Sequence, residues 1–353
     1  MNDSKATRWG ALVIVAFTMM AAYYVNDVVA PLKTMLETDL AWSSTDFGFF
    51  TGGYSFLNVF FLMLIWGGLI LDRFGIRFTG KLATILMVGG TALEYYAMTG
   101  LAGADATLFG INEIFGYKTG VFVAFAGYSI FGVGAEVAGI TVSKIIAKWF
   151  KGKELATAMG VQVALARIGS QAGYAVAIPL ARAFGISTPV LLGLVLLLGG
   201  MIAFFIFAVM DKKLDKQMEA AAIAAGTEDE EEKFSFKDVK NILVNPGFWL
   251  IALLCVLFYS CVFPFQKFAS ELMIIKYGIN ENVAGTFAGL PALGALILTP
   301  VFGGFIDKRG KSASIMLLGS AMLICVHFIY AIPDINYWLV AIVLMIILGD
   351  RKS

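Results

Sequence analysis

The 353-residue chain is 59% apolar and only 14% charged, with a mean hydropathy of +0.83. A soluble domain of this size needs a charged surface, so the composition excludes a water-soluble enzyme. Lys and Arg (26) balance Asp and Glu (25), which removes the electrostatic case for a nucleic-acid partner and leaves the lipid bilayer as the surroundings.

Apolar runs of about twenty residues, the length that crosses a bilayer as a helix, predict an all-α polytopic membrane protein. The expected spans lie at 9–30, 46–71, 79–101, 119–146, 155–181, 187–210, 247–270, 284–306, 312–332 and 336–349. The first leads straight into further spans, unlike a cleavable signal peptide. Near its end, Asn26-Asp27 follows Tyr23-Tyr24, placed either to line a path through the membrane or to mark its boundary. The third span carries Glu94 beside Tyr95-Tyr96, expected at an interfacial or interbundle contact. The 101–119 loop shows no evident chemistry.

In the fourth span Glu136 sits among Gly132, Gly134 and Ala135, which leave room around it. The fifth holds Arg167 in Ala166-Arg167-Ile168-Gly169-Ser170, too far from either end to snorkel, with Gln162 and Gln171 expected toward the same space. An ionisable side chain at the bilayer centre costs ~2.5–3.5 kcal/mol on insertion scales, so Asp27, Glu94, Glu136 and Arg167 are candidates for function. A cavity-facing Arg167–Glu136 pair is the economical arrangement, as a structural ion pair or as a site. As a site it suits a zwitterion, with the carboxylate at Arg167 and the ammonium at Glu136. A desolvated carboxyl there could also take up a proton, which makes protons a further candidate partner.

The only long charged stretch divides the chain into 1–210, a central linker at 211–246 and 247–353. Phe234-Ser235-Phe236-Lys237-Asp238-Val239 within the linker reads as a short amphipathic helix on the membrane surface. In the seventh span Tyr259, Phe263 and Phe265 surround Pro264, predicting a kinked helix that lines the path. Cys255, Cys261 and Cys325 are expected as core residues, as is the single His327, which excludes a multi-histidine metal site. There is no nucleotide-binding loop and no Gly-x-Ser-x-Gly, so neither an ATP-driven pump nor an intramembrane serine protease is expected. No cofactor is implied, and the oligomeric state is not legible.

One loop occurs twice. Gly68-Leu69-Ile70-Leu71-Asp72-Arg73-Phe74-Gly75-Ile76-Arg77 follows the second span, and Gly303-Gly304-Phe305-Ile306-Asp307-Lys308-Arg309-Gly310-Lys311 follows the eighth. Both read Gly-x-x-x-Asp-basic-x-Gly at the same place in their halves, as in proteins built from two related bundles. In such a gate Gly68 and Gly303 would permit close helix approach. Asp72 and Asp307 would pair with basic groups such as Arg73, Arg77 and Lys308, or cap a helix of the facing bundle. Gly75 and Gly310 would make the turn.

Of the 26 Lys and Arg residues, twenty fall on the side that holds the N-terminus. Lys33, Lys118, Arg182, Lys267 and Lys276 fall on the other, and Arg167 lies within the membrane. The positive-inside rule therefore predicts a cytoplasmic N-terminus, with the repeated loops forming an inner gate. The N-terminal tail has no acidic dileucine sorting signal, which favours a prokaryotic plasma membrane over a lysosome.

The repeated loop resembles the signature of the major facilitator superfamily, matched in its first copy by Gly68, Asp72, Arg73, Gly75 and Arg77. The resemblance implies two six-helix halves around a central cavity and alternating access by rocking. Four spans follow the linker where six are expected, so the second bundle is incomplete, about ten of twelve spans in all. Glu136, Trp149-Phe150-Lys151-Gly152-Lys153-Glu154-Leu155, Ala166–Ser170 and Phe258-Tyr259-Ser260-Cys261-Val262-Phe263-Pro264-Phe265 are similar to the lysosomal dipeptide uniporter branch. There, a glutamate of the fourth helix and an arginine of the fifth bind the two ends of a dipeptide; by resemblance these are Glu136 and Arg167. Tyr128 stands where the wider superfamily often has an arginine. The expected function is transport of a small organic solute, with dipeptides or amino-acid-like zwitterions first. A monocarboxylate or organic-anion transporter is the alternative, and a non-transporting structural or receptor protein is the third reading.

Overall fold

The computed structural model describes residues 4–103, 106–225, 243–296, 312–333, 335 and 338–348. Helices account for nearly all of them, and the described parts of the expected spans are helical almost throughout. The lower end of the molecule carries the N-terminus, and the upper end carries residues 29–44.

Helix α1 (Lys5–Val28) climbs from the lower end and breaks into a 3-10 turn, Ala30–Leu32, and a short α2 (Lys33–Asp39). Pro31 sits inside that turn and has no N–H with which to continue the α1 ladder. Helix α3 (Ser44–Phe60) starts at a capping box in which Ser43 and Asp46 satisfy each other's backbone N–H groups. After a 58° bend at Phe61 and Leu62, α4 (Met63–Thr99) finishes this span and returns as the next. The reversal happens at Gly75, whose φ of 74° and ψ of 172° suit glycine alone. A two-stranded hairpin, β1 (Glu113–Ile114) and β2 (Tyr117–Lys118), leads into α5 (Thr119–Trp149). Then follow α6 (Leu155–Phe184) and α7 (Thr188–Ala225), and in the second half α8 (Pro246–Ile275), α9 (Glu281–Ala288), α10 (Ser312–Ala331) and α11 (Trp338–Leu348). By length and hydropathy, four described helices can cross a membrane, or five if the bent pair α3–α4 is one span.

Helices α1 to α7 share one apolar core built on Trp149, Tyr128, Phe47, Phe50 and Phe131. A second cluster joins Ala30 and Tyr174 of the first half to α8–α11, so the halves meet at the upper end. Dispersion, helix packing and interhelical polar contacts hold such bundles in lipid, because apolar tails offer no hydrophobic drive between helices.

Two expectations change here. The linker boundary expected at 211 falls inside α7, which stays helical to Ala225, and Asp211 itself is fully buried. Cys255, Cys261 and Cys325 are exposed on the faces of their helices rather than packed in the core, and all are free thiols. Glu94 is buried completely, and neither carboxyl oxygen has a hydrogen-bond partner among the described residues.

Candidate functional site

A cavity of about 560 Å³ lies between the halves, walled by α1, α3, α5, α6 and α8. Its charged lining residues are Asp27, Glu136, Arg167 and Lys267, two of each sign. Each is placed by local packing. At Gly169 an added Cβ would collide with the Met20 carbonyl oxygen, so only glycine lets α6 lie this closely against α1. That contact carries Arg167, two residues earlier, over the ring of Tyr23 at 5.6 Å. Arg167 is 8% exposed, and its Nε has no hydrogen-bond partner among the described residues. On α5, Glu136 accepts a hydrogen bond from the Tyr54 hydroxyl at 2.8 Å.

The expected Arg167–Glu136 ion pair is absent among the described residues, although both line the one cavity. Tyr54 takes the place of the arginine on Glu136, and the Tyr23 ring faces the guanidinium instead. The cavity thus keeps a cation and an anion that do not neutralise each other directly. Asp27 and Tyr259 also line it, with Tyr259 stacked on Phe263 at 5.0 Å. Gln162, half-buried on α6, is not among the lining residues. Gln171 points instead to α9, donating to the Thr286 carbonyl at 3.2 Å. Helix α8 stays helical through Pro264, which is itself part of the wall.

Lys267 is the residue that sequence reasoning misplaces, by assigning it to the loop side. It lies within α8 and donates to the Asn26 carbonyl at 2.6 Å and to the Tyr128 hydroxyl at 3.0 Å. Its Nζ is 4.0 Å from Asp27. The signal is present: the expected span runs to 270, and Met273, Ile274 and Ile275 prolong the apolar helix beyond the lysine. Tyr54 and Tyr23 carry no such signal, since tyrosine is common along helix faces.

Residues of the first repeated loop contact their own bundle. Asp72 accepts from Lys144 of α5 at 3.0 Å, with both side chains largely exposed. Arg77 pairs with Asp215 at 2.6 Å and Asp211 at 3.4 Å on α7. Arg73 lies over the Phe74 ring at 5.5 Å. The close approach expected of Gly68 belongs to its neighbour: a Cβ on Gly68 would meet nothing within 4 Å, whereas one on Gly67 would meet Val137 at 2.6 Å. The second copy, with Gly303, Asp307, Lys308 and Gly310, lies outside the described residues.

The family model for the Major Facilitator Superfamily matches residues 12–349. The chain belongs to this family. It is accordingly a multi-pass integral membrane protein with the major facilitator fold, of a family of transporters. Relatives include the lysosomal dipeptide transporter MFSD1 of Homo sapiens, 27% identical over 348 residues that cover 95% of this chain and 68% of the relative. The Gallus gallus protein of the same name is 30% identical over 226 residues, covering 60% and 49%. Among solved structures, tetrameric PepTSo2 superposes with a TM-score of 0.65 at 13% identity, covering 97% of this chain and 81% of that one. A D-xylose–proton symporter gives 0.59 at 15% identity, covering 97% and 79%. Likeness at these identities concerns the fold.

Proposed function

We propose that the protein moves small zwitterionic solutes, dipeptides first, by alternating access through the cavity between its halves. One observation carries the reading: Arg167 and Glu136 face the same cavity without pairing to each other. A buried guanidinium with an unused donor calls for an anionic partner, and a carboxylate is the group its planar fork matches best. Glu136, anchored on one side by Tyr54, offers its remaining acceptor capacity to an ammonium. The relatives named as dipeptide transporters support this choice of substrate. The charge asymmetry of the loops supports a cytoplasmic lower end.

The test is uptake of a labelled dipeptide into proteoliposomes, with and without an imposed pH gradient. Glu136→Gln and Arg167→Gln are each expected to lower the rate at least about tenfold, the equivalent of 1.4 kcal/mol in binding. Full-rate dipeptide uptake by Glu136→Gln would sink the zwitterion site. Uptake of a monocarboxylate by that variant would favour an organic-anion carrier. No uptake of either solute by the unaltered protein would favour a non-transporting role.

A further inference from the structure

Lys267 is a cation at the upper wall of the cavity, and its side chain is only 14% exposed. It belongs to α8 of the second half, yet both acceptors it reaches belong to the first. The stronger is a main-chain carbonyl, that of Asn26. Helix α1 ends at Val28, and the carbonyls of a helix's last turn have no intrahelical N–H to accept. In a continuing helix the Ala30 N–H would serve the Asn26 carbonyl, but α1 has ended and Ala30 opens the 3-10 turn. The end of α1 therefore leaves the Asn26 carbonyl to outside donors and presents the negative pole of its dipole, where a cation is favoured.

The Tyr128 hydroxyl from α5 donates to the same Asn26 carbonyl at 2.7 Å and receives the lysine at 3.0 Å, which fixes both. Asn26 in turn donates its side-chain amide to Asp27 at 2.8 Å, holding that carboxylate beside the ammonium. One ammonium thus ties α1, α5 and α8 together across the seam. Lys33–Glu271 at 2.6 Å and the Arg182–Glu281 pair reinforce the seam nearer the upper surface.

We propose that Lys267 is the positioning residue that latches the upper end of the cavity shut, by capping the broken C-terminus of α1 from the opposite half. Parting the halves strips the ammonium of these acceptors within the membrane, where a lone charge is costly. Only water admitted from the upper side replaces them. The latch is therefore stable when the upper end is closed and dry, and gives way when that end opens and wets. Tyr128 is what sets the lysine on the carbonyl rather than on Asp27, whose oxygen stands off at 4.0 Å.

The test uses the full chain with Cys255, Cys261 and Cys325 changed to serine and one reporter, Ser55→Cys, in the cavity wall. A membrane-impermeant maleimide is applied to sealed vesicles from one side or the other. Asn112→Cys in the exposed upper loop identifies the upper side. Lys267→Met is expected to raise labelling from the upper side about tenfold, as lost charge-assisted contacts of roughly 1.4 kcal/mol would give, and to lower it from the lower side. Tyr128→Phe should do the same more weakly, Asp27→Asn least, and Lys267→Arg should restore the original pattern. Opposite changes on the two sides are the signature, because simple loosening of the fold raises labelling from both. Unchanged labelling, or a rise from both sides in Lys267→Met and Lys267→Gln alike, would overturn the latch. The readout needs no solute, so failure of the dipeptide reading leaves the result intact.

Discussion

At the lower end Arg77, Lys148 and Trp149 converge on Asp211 and Asp215, all within one bundle, whereas at the upper end Lys33, Arg182 and Lys267 join one half to the other. The same chemistry, a cation on carboxylates or carbonyls, does two different jobs. Below, Asp211 is entirely buried at the centre of α7 and accepts from Lys148 at 2.8 Å and from the Trp149 indole at 3.0 Å. Such a knot stiffens the bundle it lies in, as the proposed alternating access would need. Above, the contacts lie between bodies, and any motion of one against the other has to break them. Rigid halves with a breakable seam are what rocking requires.

This contrast is open to attack at several strengths. Asp211→Ala should have the largest effect, since it leaves the buried Trp149 indole N–H without its acceptor and Arg77 and Lys148 with Asp215 alone. A loss of about 3 kcal/mol is expected, the upper end for an orphaned buried donor, read as a marked fall in unfolding temperature in detergent. Asp211→Asn keeps an acceptor for Trp149 and should lose visibly less. Lys33→Met strands Glu271 and Glu37 at the seam, with about 1.5–3 kcal/mol at stake. Here the prediction is a raised rate of cavity labelling from the upper side with little change in unfolding temperature. Equal changes in both measurements would erase the distinction between knot and seam.

Gly75→Ala forces a Cβ into backbone geometry that only glycine adopts freely, at about 1–3 kcal/mol. Thermal unfolding should show it, and an unchanged midpoint would mean the turn readily takes another form. The smallest effect is expected at Glu154, at the lower end between α5 and α6. The Lys5 ammonium and then the Trp9 indole hydrogen-bond to its carboxyl and hold it below the usual carboxylate range. A depressed carboxyl stabilises the fold at neutral pH, and the contribution disappears as pH falls through the carboxylate range, around 4. Glu154→Gln should therefore flatten the acid side of the stability profile slightly and only at low salt, because the pair is exposed. A flattening of equal size at high salt would point to another group.

Legibility in the sequence follows the length scale of each signal. Apolar runs report burial in lipid directly, so the expected spans fall on helices where they are described. The repeated loop locates the turn that Gly75 makes. Glu136 and Arg167 stand out because ionisable groups are costly inside a membrane, and both do line the cavity. Gln162, Gly68 and the supposed Arg167–Glu136 pair go wrong for one reason. Hydropathy gives a residue's depth in the membrane, but not its azimuth on the helix or the partner that will face it. Lys267 and Asp211 mislead for the converse reason, since a charge counted with the segments outside the membrane or at the end of a span is in fact paired inside a helix.

The sequence by itself settled the class, the helices and which charges lie within the membrane, because each is a property of one segment in an apolar medium. Tertiary structure decided who partners whom: Tyr54 on Glu136, the Tyr23 ring beneath Arg167, Asp211 under Trp149, and Lys267 on the open end of α1. Those choices depend on helix rotation and on glycine contacts such as Gly169 on Met20, where a small change in helix separation selects the neighbour. No single segment encodes that separation, because it is the sum of how both helices pack.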